Sequence, residues 1–334
     1  MRACYDIHLA VAGADNQRRP PFSPQLFRSW LALGWTEDPA EAWLARGSDG
    51  QVCGFYLLTL PSRENRHLAE LHPEVHPSWR RAGLGTALVA HAAARAREAG
   101  RTALVGHTNE GSAGDAFARA LGARYRMTGI FPVLRLDCMP AGHLAALRAK
   151  AAAASSGYSL LTWDGATPEG HLDAVVGLYQ AEEDAPRPEE EEAQCWDASR
   201  VRADDLRIAD QGLRFYTVAA RPESSEELVA ITQLGVDPLD ADGAFQELTA
   251  VARSHRGHRL GLLVKVAMLE LLAAHEPQLT QIVTLTAADN EHMNAINTEL
   301  GFEVLERQLS WELETARAPR PAGHAAPGAS APQS

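Results

Sequence analysis

No apolar run in the 334 residues approaches 18 positions, so no membrane-spanning helix and no membrane partner are expected. The first residues, Met1-Arg2-Ala3-Cys4-Tyr5-Asp6, lack the apolar core of a secretory leader. Cysteine is scarce: Cys4, Cys53, Cys138 and Cys195 show neither paired nor metal-ligand spacing. Reduced thiols and a cytoplasmic location are the matching expectation. His72, His76, His255 and His258 have no metal-binding spacing with carboxylates or thiols, so no metal is expected. Gly-Lys-Ser/Thr is missing, which excludes a P-loop. Positive charge is short in the second half. Residues 151–334 carry 13 Lys and Arg against 30 Asp and Glu, while residues 1–150 carry 18 against 13. A net charge of −12 concentrated there argues against a nucleic-acid partner and favours a cationic one, such as an amine. Solubility alone explains the same imbalance equally well.

What is present is a glycine loop used twice. Val75-His76-Pro77-Ser78-Trp79-Arg80-Arg81-Ala82-Gly83-Leu84-Gly85-Thr86 runs from an apolar strand into a helix-forming segment. Glycines admit close backbone approach, and the unpaired N–H groups of the following helix point back into the loop. That arrangement suits a phosphate or pyrophosphate, with Arg80 and Arg81 adding charge. Val251-Ala252-Arg253-Ser254-His255-Arg256-Gly257-His258-Arg259-Leu260-Gly261 repeats it, Gly261 standing 176 residues after Gly85. Leu121-Gly122 is echoed by Leu300-Gly301 at an offset of 179. A period of that length is a domain, so the spacing predicts one fold duplicated.

The expected organisation is a first domain over 1–138, a helical connector over 139–157, a second domain over 158–315 and a disordered tail over 316–334. In the first domain, alternation predicts a strand at 5–11 and apolar spacing predicts a helix from Pro24 with Ser23 as N-cap. Strands at 42–46 and 52–60 flank Ser48-Asp49-Gly50 as a hairpin, and another strand at 68–75 enters the loop. The second domain repeats this order with a longer insert, including an acidic segment at 182–192 read as a solvated loop. The Ala-rich connector has few large apolar groups and is expected to pack lightly; the two domains are expected to meet through a modest interface. The tail offers nothing that offsets the entropy of folding.

This order and these motifs resemble the GCN5-related N-acetyltransferase (GNAT) superfamily, and the duplication resembles its tandem members. The signature loop, (Gln/Arg)-x-x-Gly-x-(Gly/Ala), is matched in full by Arg80, Gly83 and Gly85. The fold implied is mixed α/β: two tandem domains, each a mostly antiparallel twisted sheet with a splayed central strand pair flanked by helices. The resemblance also implies a coenzyme A thioester, acetyl-CoA or another acyl-CoA, as co-substrate. Its pyrophosphate would lie on the loop and its pantetheine arm in the splay. Val75, Arg80, Arg81, Gly83, Gly85 and Thr86 inherit those contacts in one copy. In the other they fall to Val251, Arg256, Gly257, His258, Arg259 and Gly261. Arg259 stands where the motif has its first glycine, and either crowds the pyrophosphate or offers it a guanidinium. At the place of the family's tyrosine general acid stand Ala118 in one copy and Asn297 in the other, and by that position Asn297 is the second candidate catalytic residue. Asn290 stands where members often have an asparagine near the pantetheine; a helix N-cap explains it as well.

Acyl transfer to an amine needs a base. On the strand before the second loop, period two places Phe245, Glu247, Thr249 and Val251 on one face, and Glu247 is the candidate base. A solvated strand carboxylate is the alternative. In the first copy Leu71 takes the aligned place, with Glu70, His72 and Glu74 nearby, and Pro73 suits a bulged or splayed strand. The expected activity is transfer of an acyl group from acyl-CoA to a primary amine of a small molecule by direct attack, with the second copy favoured for chemistry. An acyl-carrier-protein donor, or a non-catalytic acyl-CoA sensor, are the alternatives.

Overall fold

The computed structural model describes residues 1–15, 18–33, 38–240 and 242–320. The first half runs α1 (Arg2–Ala14), α2 (Pro24–Leu33), β1 (Glu41–Arg46), β2 (Val52–Thr59), β3 (Leu68–Val75), α3 (Leu84–Glu98), β4 (Ala103–Asn109), α4 (Ala113–Ala120) and β5 (Arg124–Arg135). Then come α5 (His143–Ala154), β6 (Tyr158–Asp164), α6 (Leu172–Glu182), α7 (Ala198–Gln211), β7 (Arg214–Pro222), β8 (Ala230–Val236), β9 (Gly243–Val251), α8 (Leu260–His275), β10 (Gln281–Thr284), β11 (Thr286–Ala287), α9 (Glu291–Leu300) and β12 (Glu303–Glu314).

The segment expected as a strand at 5–11 is helix α1. Alternation competes there with a 3.6-residue period, and the latter wins because Cys4, Ile7, His8 and Ala12 form one buried stripe. Helix α2 starts as read, with Ser23 Oγ accepting from the Leu26 N–H at 3.3 Å.

The strands form one sheet in the order β1-β2-β3-β4-β12-β5-β10-β9-β8-β7-β6, with β11 beside β5. All pairs are antiparallel except β3–β4 and β9–β10. Each parallel pair opens early. β3 and β4 are joined from Leu68↔Ala103 to Glu70↔Val105, and β3 then runs on to Val75 without β4. β9 and β10 are joined only as far as Gln246↔Thr284. Each half therefore has a gap between its central strands, on the loop side.

The expectation of a modest interface is overturned. β12, the last strand of the chain, pairs with β4 in register from Gln308↔Asn109 to Glu314↔Ala103. β5, the last of the first half, pairs with β10. Each half is completed by the other's final strand. The motif repeat could not show this, because either pairing satisfies the same apolar pattern.

Helices pack on both faces of the sheet. Leu262, Val264, Val266, Met268 and Leu272 of α8 are buried on all sides of the helix, each worth about 1.5–3 kcal/mol of apolar burial. The connector is not lightly packed: Leu147 and Ala151 of α5 enter this same core. α3 covers the equivalent face of the first half through Leu88, Val89, Ala92 and Ala96. At the C-terminus, Ala318 packs into that cluster, so order extends beyond 315, where a disordered tail was expected. Residues 321–334 lie outside the described residues.

Candidate active sites at two strand gaps

The two loops have the same backbone plan. After Val75, residues Pro77–Trp79 make a single 3-10 turn, Arg80 is extended, and Gly83 caps α3 at φ 82°. After Val251, Arg253–His255 turn, Arg256 is extended, and Arg259 caps α8 at φ 52°. Arg259 thus holds the left-handed position that glycine occupies in the first loop. Arg80 Nε donates to Val75 O at 3.3 Å, and Arg256 Nε to Val251 O at 3.3 Å.

The loop arginines are largely engaged within the protein. Arg80 makes a two-pronged bond to Asp15 at the end of α1, at 2.6 and 3.0 Å. Arg253 and Arg256 both bind Asp184, whose carboxyl they hold down at about 2. Arg259 is drawn onto α9 by Glu299 at 3.0 Å, which leaves its backbone, not its guanidinium, in the loop. His258 packs against the Tyr158 ring, and the Tyr158 hydroxyl meets His255 Nδ1 at 2.9 Å. Arg81 (φ 65°), Thr86, Gly257 (φ 89°) and His258 are exposed at the loop mouths.

The second glycine of each motif has a packing duty as well. A Cβ on Gly85 would come 3.3 Å from Phe117 of α4, and one on Gly261 3.0 Å from Ile296 of α9. These glycines let the loop helix press against the short helix of its own half.

Glu247 lies on β9 just beyond the point where β10 leaves. Its strand is bulged there: Gln246 pairs with Leu234 and Leu248 with Gln233, leaving Glu247 unpaired. The bulge breaks the expected period-two face. Ala244 and Val251 join the core under α8, whereas Leu248 and Ala250 join the cluster of α6 and α7. Thr249 bonds Thr232 across the strand pair at 2.7 Å and does not share a face with Leu248. No hydrogen-bond or ion-pair partner of the Glu247 carboxylate is found among the described residues. Solvent reaches it, yet it is ringed by protein, and this desolvation pushes its pKa up to about 7; Arg207 opposes the rise and Asp204 adds to it. The first half has no such bulge. β2 and β3 keep one register from Thr59↔Glu70 to Gly54↔Val75, and Pro73 pairs opposite Tyr56.

Asn290 caps α9, its side chain accepting from the Met293 N–H at 3.2 Å. Asn297 is buried, and its Oδ1 accepts from Lys265 Nζ at 2.7 Å. Lys265 was not singled out from the sequence. It is 2 % exposed on α8, and burial brings its pKa down to about 7. Tyr179 was also missed; it packs beneath β8 and donates to Gln233 at 2.7 Å. An all-round apolar α8 gave Lys265 no signal, and a lone tyrosine in α6 reads as core.

The acidic segment at 182–192 is not simply a solvated loop. Beyond Asp184, Glu190 pairs with Arg124 at 3.1 Å, Glu191 with Arg126 at 3.4 Å, and Glu192 accepts from the Asn65 N–H at 2.7 Å. The partners of these last three belong to the first half, so the insert clamps the halves together. Among the described residues no helix is long and apolar enough to cross a membrane, and no group of three or more His, Cys, Asp or Glu could hold a metal ion.

The acetyltransferase (GNAT) family model matches residues 3–123. A tandem GNAT protein from the clavulanic acid biosynthesis pathway is 30 % identical, with 93 % of each chain covered and a TM-score of 0.76. A GCN5-related N-acetyltransferase from Sphaerobacter thermophilus is 17 % identical at TM-score 0.66, with 95 % of this chain and 93 % of that one covered. A glucosamine N-acetyltransferase region of a fungal multi-domain GH3 β-N-acetylglucosaminidase shares the fold at 15 % identity and TM-score 0.61, covering 92 % of this chain and 37 % of that one. No match was found among curated proteins. The chain belongs to the GNAT acetyltransferase family, whose members use acyl-CoA as co-substrate, and is an acyltransferase.

Proposed function

We propose that the second half transfers an acyl group, most simply acetyl, from acyl-CoA to a primary amine of a small molecule, with Glu247 as general base. The observation that carries this reading is the bulge at Glu247. It leaves a carboxylate without a partner beside the β9–β10 gap, with its pKa raised to about 7 by desolvation, where a base works best near neutrality. The thioester would lie in the gap. The N–H groups at the start of α8 and on the 256–261 loop would receive the pyrophosphate. The amine loses a proton to Glu247, directly or through water, attacks the carbonyl carbon, and the C–S bond breaks. Asn290 and Asn297 act here as supports, the first capping α9 and the second bonded to Lys265. A carrier-protein donor is the second reading, favoured by the engagement of Arg253, Arg256 and Arg259 with Asp184 and Glu299, since such a donor asks less of the loop. Acetyl-CoA turnover on a panel of amines by full-length protein and by Glu247→Gln tests the proposal. Equal rates in the two proteins refute it.

A further inference from the structure

The first half contains a constellation that the duplication does not account for. On β3, Glu70, His72 and Glu74 share the face turned toward α1 and α2, while Ala69, Leu71 and Val75 pack under α3. Glu74 is 6 % exposed, and its Oε1 receives two imidazoles: His8 Nδ1 from α1 at 2.8 Å and His72 Nε2 at 3.0 Å. Burial by itself would raise this carboxyl, but the bonds from His72 and His8 prevail and hold it at about 2. It is therefore ionised and accepts N–H bonds from both rings. Glu74 Oε2 and His8 Nε2 remain buried with no partner among the described residues.

His72 is different in kind from His8. Its side chain is 45 % exposed, its ring meets the edge of Trp30 at 4.5 Å, and it stands two residues beyond Glu70, where β4 departs. With Nε2–H donated to the Glu74 carboxylate, the neutral form of the ring has its lone pair on Nδ1. A buried carboxylate orienting an accessible imidazole at a strand gap is the arrangement of a base and its orienter. A purely structural tie between α1 and β3 needs only His8. At an offset of 176, His72 and Glu74 correspond to Leu248 and Ala250 in the second half, so this set belongs to the first half alone.

We propose that the β3–β4 gap is a second acyl-transfer centre, with His72 as general base, Glu74 and His8 as positioning residues, and a small primary amine as acceptor. The proposal rests on the GNAT reading of the gap as the thioester site, and not on Glu247. The ammonium gives one proton to His72 Nδ1, and from there to solvent. The nitrogen forms a C–N bond to the thioester carbonyl as the C–S bond breaks, and its second surplus proton goes to the leaving thiolate. The groups facing His72 are Glu70 and Glu74 on its own strand, His8 from α1 and His107 from β4. Desolvation first, then His72 and Arg126, keep the His107 pKa down at about 4, so His107 is neutral throughout the working range.

The test uses full-length protein, acetyl-CoA and a panel of primary amines, with thiol release and product mass as readouts. Glu247→Gln silences the second half, and residual acetylation of a subset of amines is expected. Adding His72→Gln should lower that residue of activity by about 10²–10⁴. Glu74→Gln should shift the pH–rate profile and lower kcat with little change in KM, and Glu74→Asp should restore part of the rate. A merely structural Glu74 would lower the melting temperature and leave the profile in place. His72 is half exposed, so His72→Gln keeps the proposal testable even if Glu74 variants fail to fold. Three results overturn it: no residual turnover in Glu247→Gln when the parent is active, which leaves the Glu247 reading standing; an unchanged residual rate after His72→Gln; or no amine acetylated by the parent chain, which removes both readings.

Discussion

Glu247 should impose a stability cost that its replacement removes, and the sign of that effect distinguishes a desolvated base from a solvated surface carboxylate. Desolvation raises its folded pKa to about 7, above the ordinary glutamate value of 4.5. Between those two values the folded state holds the proton more tightly than the unfolded chain. The fold therefore loses stability from this group as pH rises through that window, and bears the full cost above about pH 8. A shift of that size is nominally about 3 kcal/mol, but solvent reaches the side chain, and screening reduces it to roughly 1–2 kcal/mol. Glu247→Gln should leave stability unchanged near pH 4 and raise it by roughly 1–2 kcal/mol at pH 8. Acyl transfer at the second half should fall by about 10²–10⁴ in the same variant. In the parent protein kcat/KM should climb about tenfold per unit below pH 7 and level off above it. Denaturant melts at both pH values and initial rates from pH 5.5 to 9 decide the matter. A Gln variant that is less stable at pH 8, or a rate flat between pH 5.5 and 7.5, refutes the reasoning.

Other outcomes follow from features of the two halves. Lys265 bonded to Asn297 replaces Val89 and Ala118 of the first half, and the double change Lys265→Met with Asn297→Leu should stabilise the protein by about 2–4 kcal/mol at pH 6. The lysine's folded pKa is depressed to about 7, so its cost is full below pH 7 and fades toward pH 10; a gap that widens with pH in melts contradicts this. Gly85→Val meets Phe117 and should cost about 1–3 kcal/mol by melting, along with donor binding at the first gap by calorimetry. Arg259→Gly gives up an exposed ion pair worth at most ~1 kcal/mol, and donor affinity at the second gap should stay within about threefold; a larger loss would give the guanidinium a direct role. Residues 1–157 expressed alone should fail to show a cooperative unfolding transition, because β4 would lack its neighbour β12.

The parts of this fold that can be read from the chain are those fixed by local pattern. The two loops, the helices after them, the hairpins and the Leu-Gly endings all sit where spacing and turn residues require. The strand gaps come from the resemblance, not from any local signal. Features set by contacts across the sequence escaped. Nothing near Asp15 announces Arg80, nothing near His8 announces Glu74, and the carboxylates of 190–192 read as a solvated run because their partners lie in the other half. The bulge was hidden for another reason: alternation continues through Glu247 in the sequence, and only the pairing with Gln233 and Leu234 shows the slip. For α1, two periods fitted the same residues, and the burial of His8 decided between them.

The placement of β12 has a consequence during synthesis. β4 is complete at Asn109, but the strand that closes it begins at Glu303, almost the whole length of the second half later. At ordinary translation rates of about 5–20 residues per second, the emerging first half waits roughly 10–40 s with a bare strand edge. For most of that interval, until β10 is made at 281–284, β5 is also unpartnered. The nascent chain thus carries two neighbouring open edges, a substrate for holdase chaperones. A stop codon anywhere before residue 281 would strand the first half in that state.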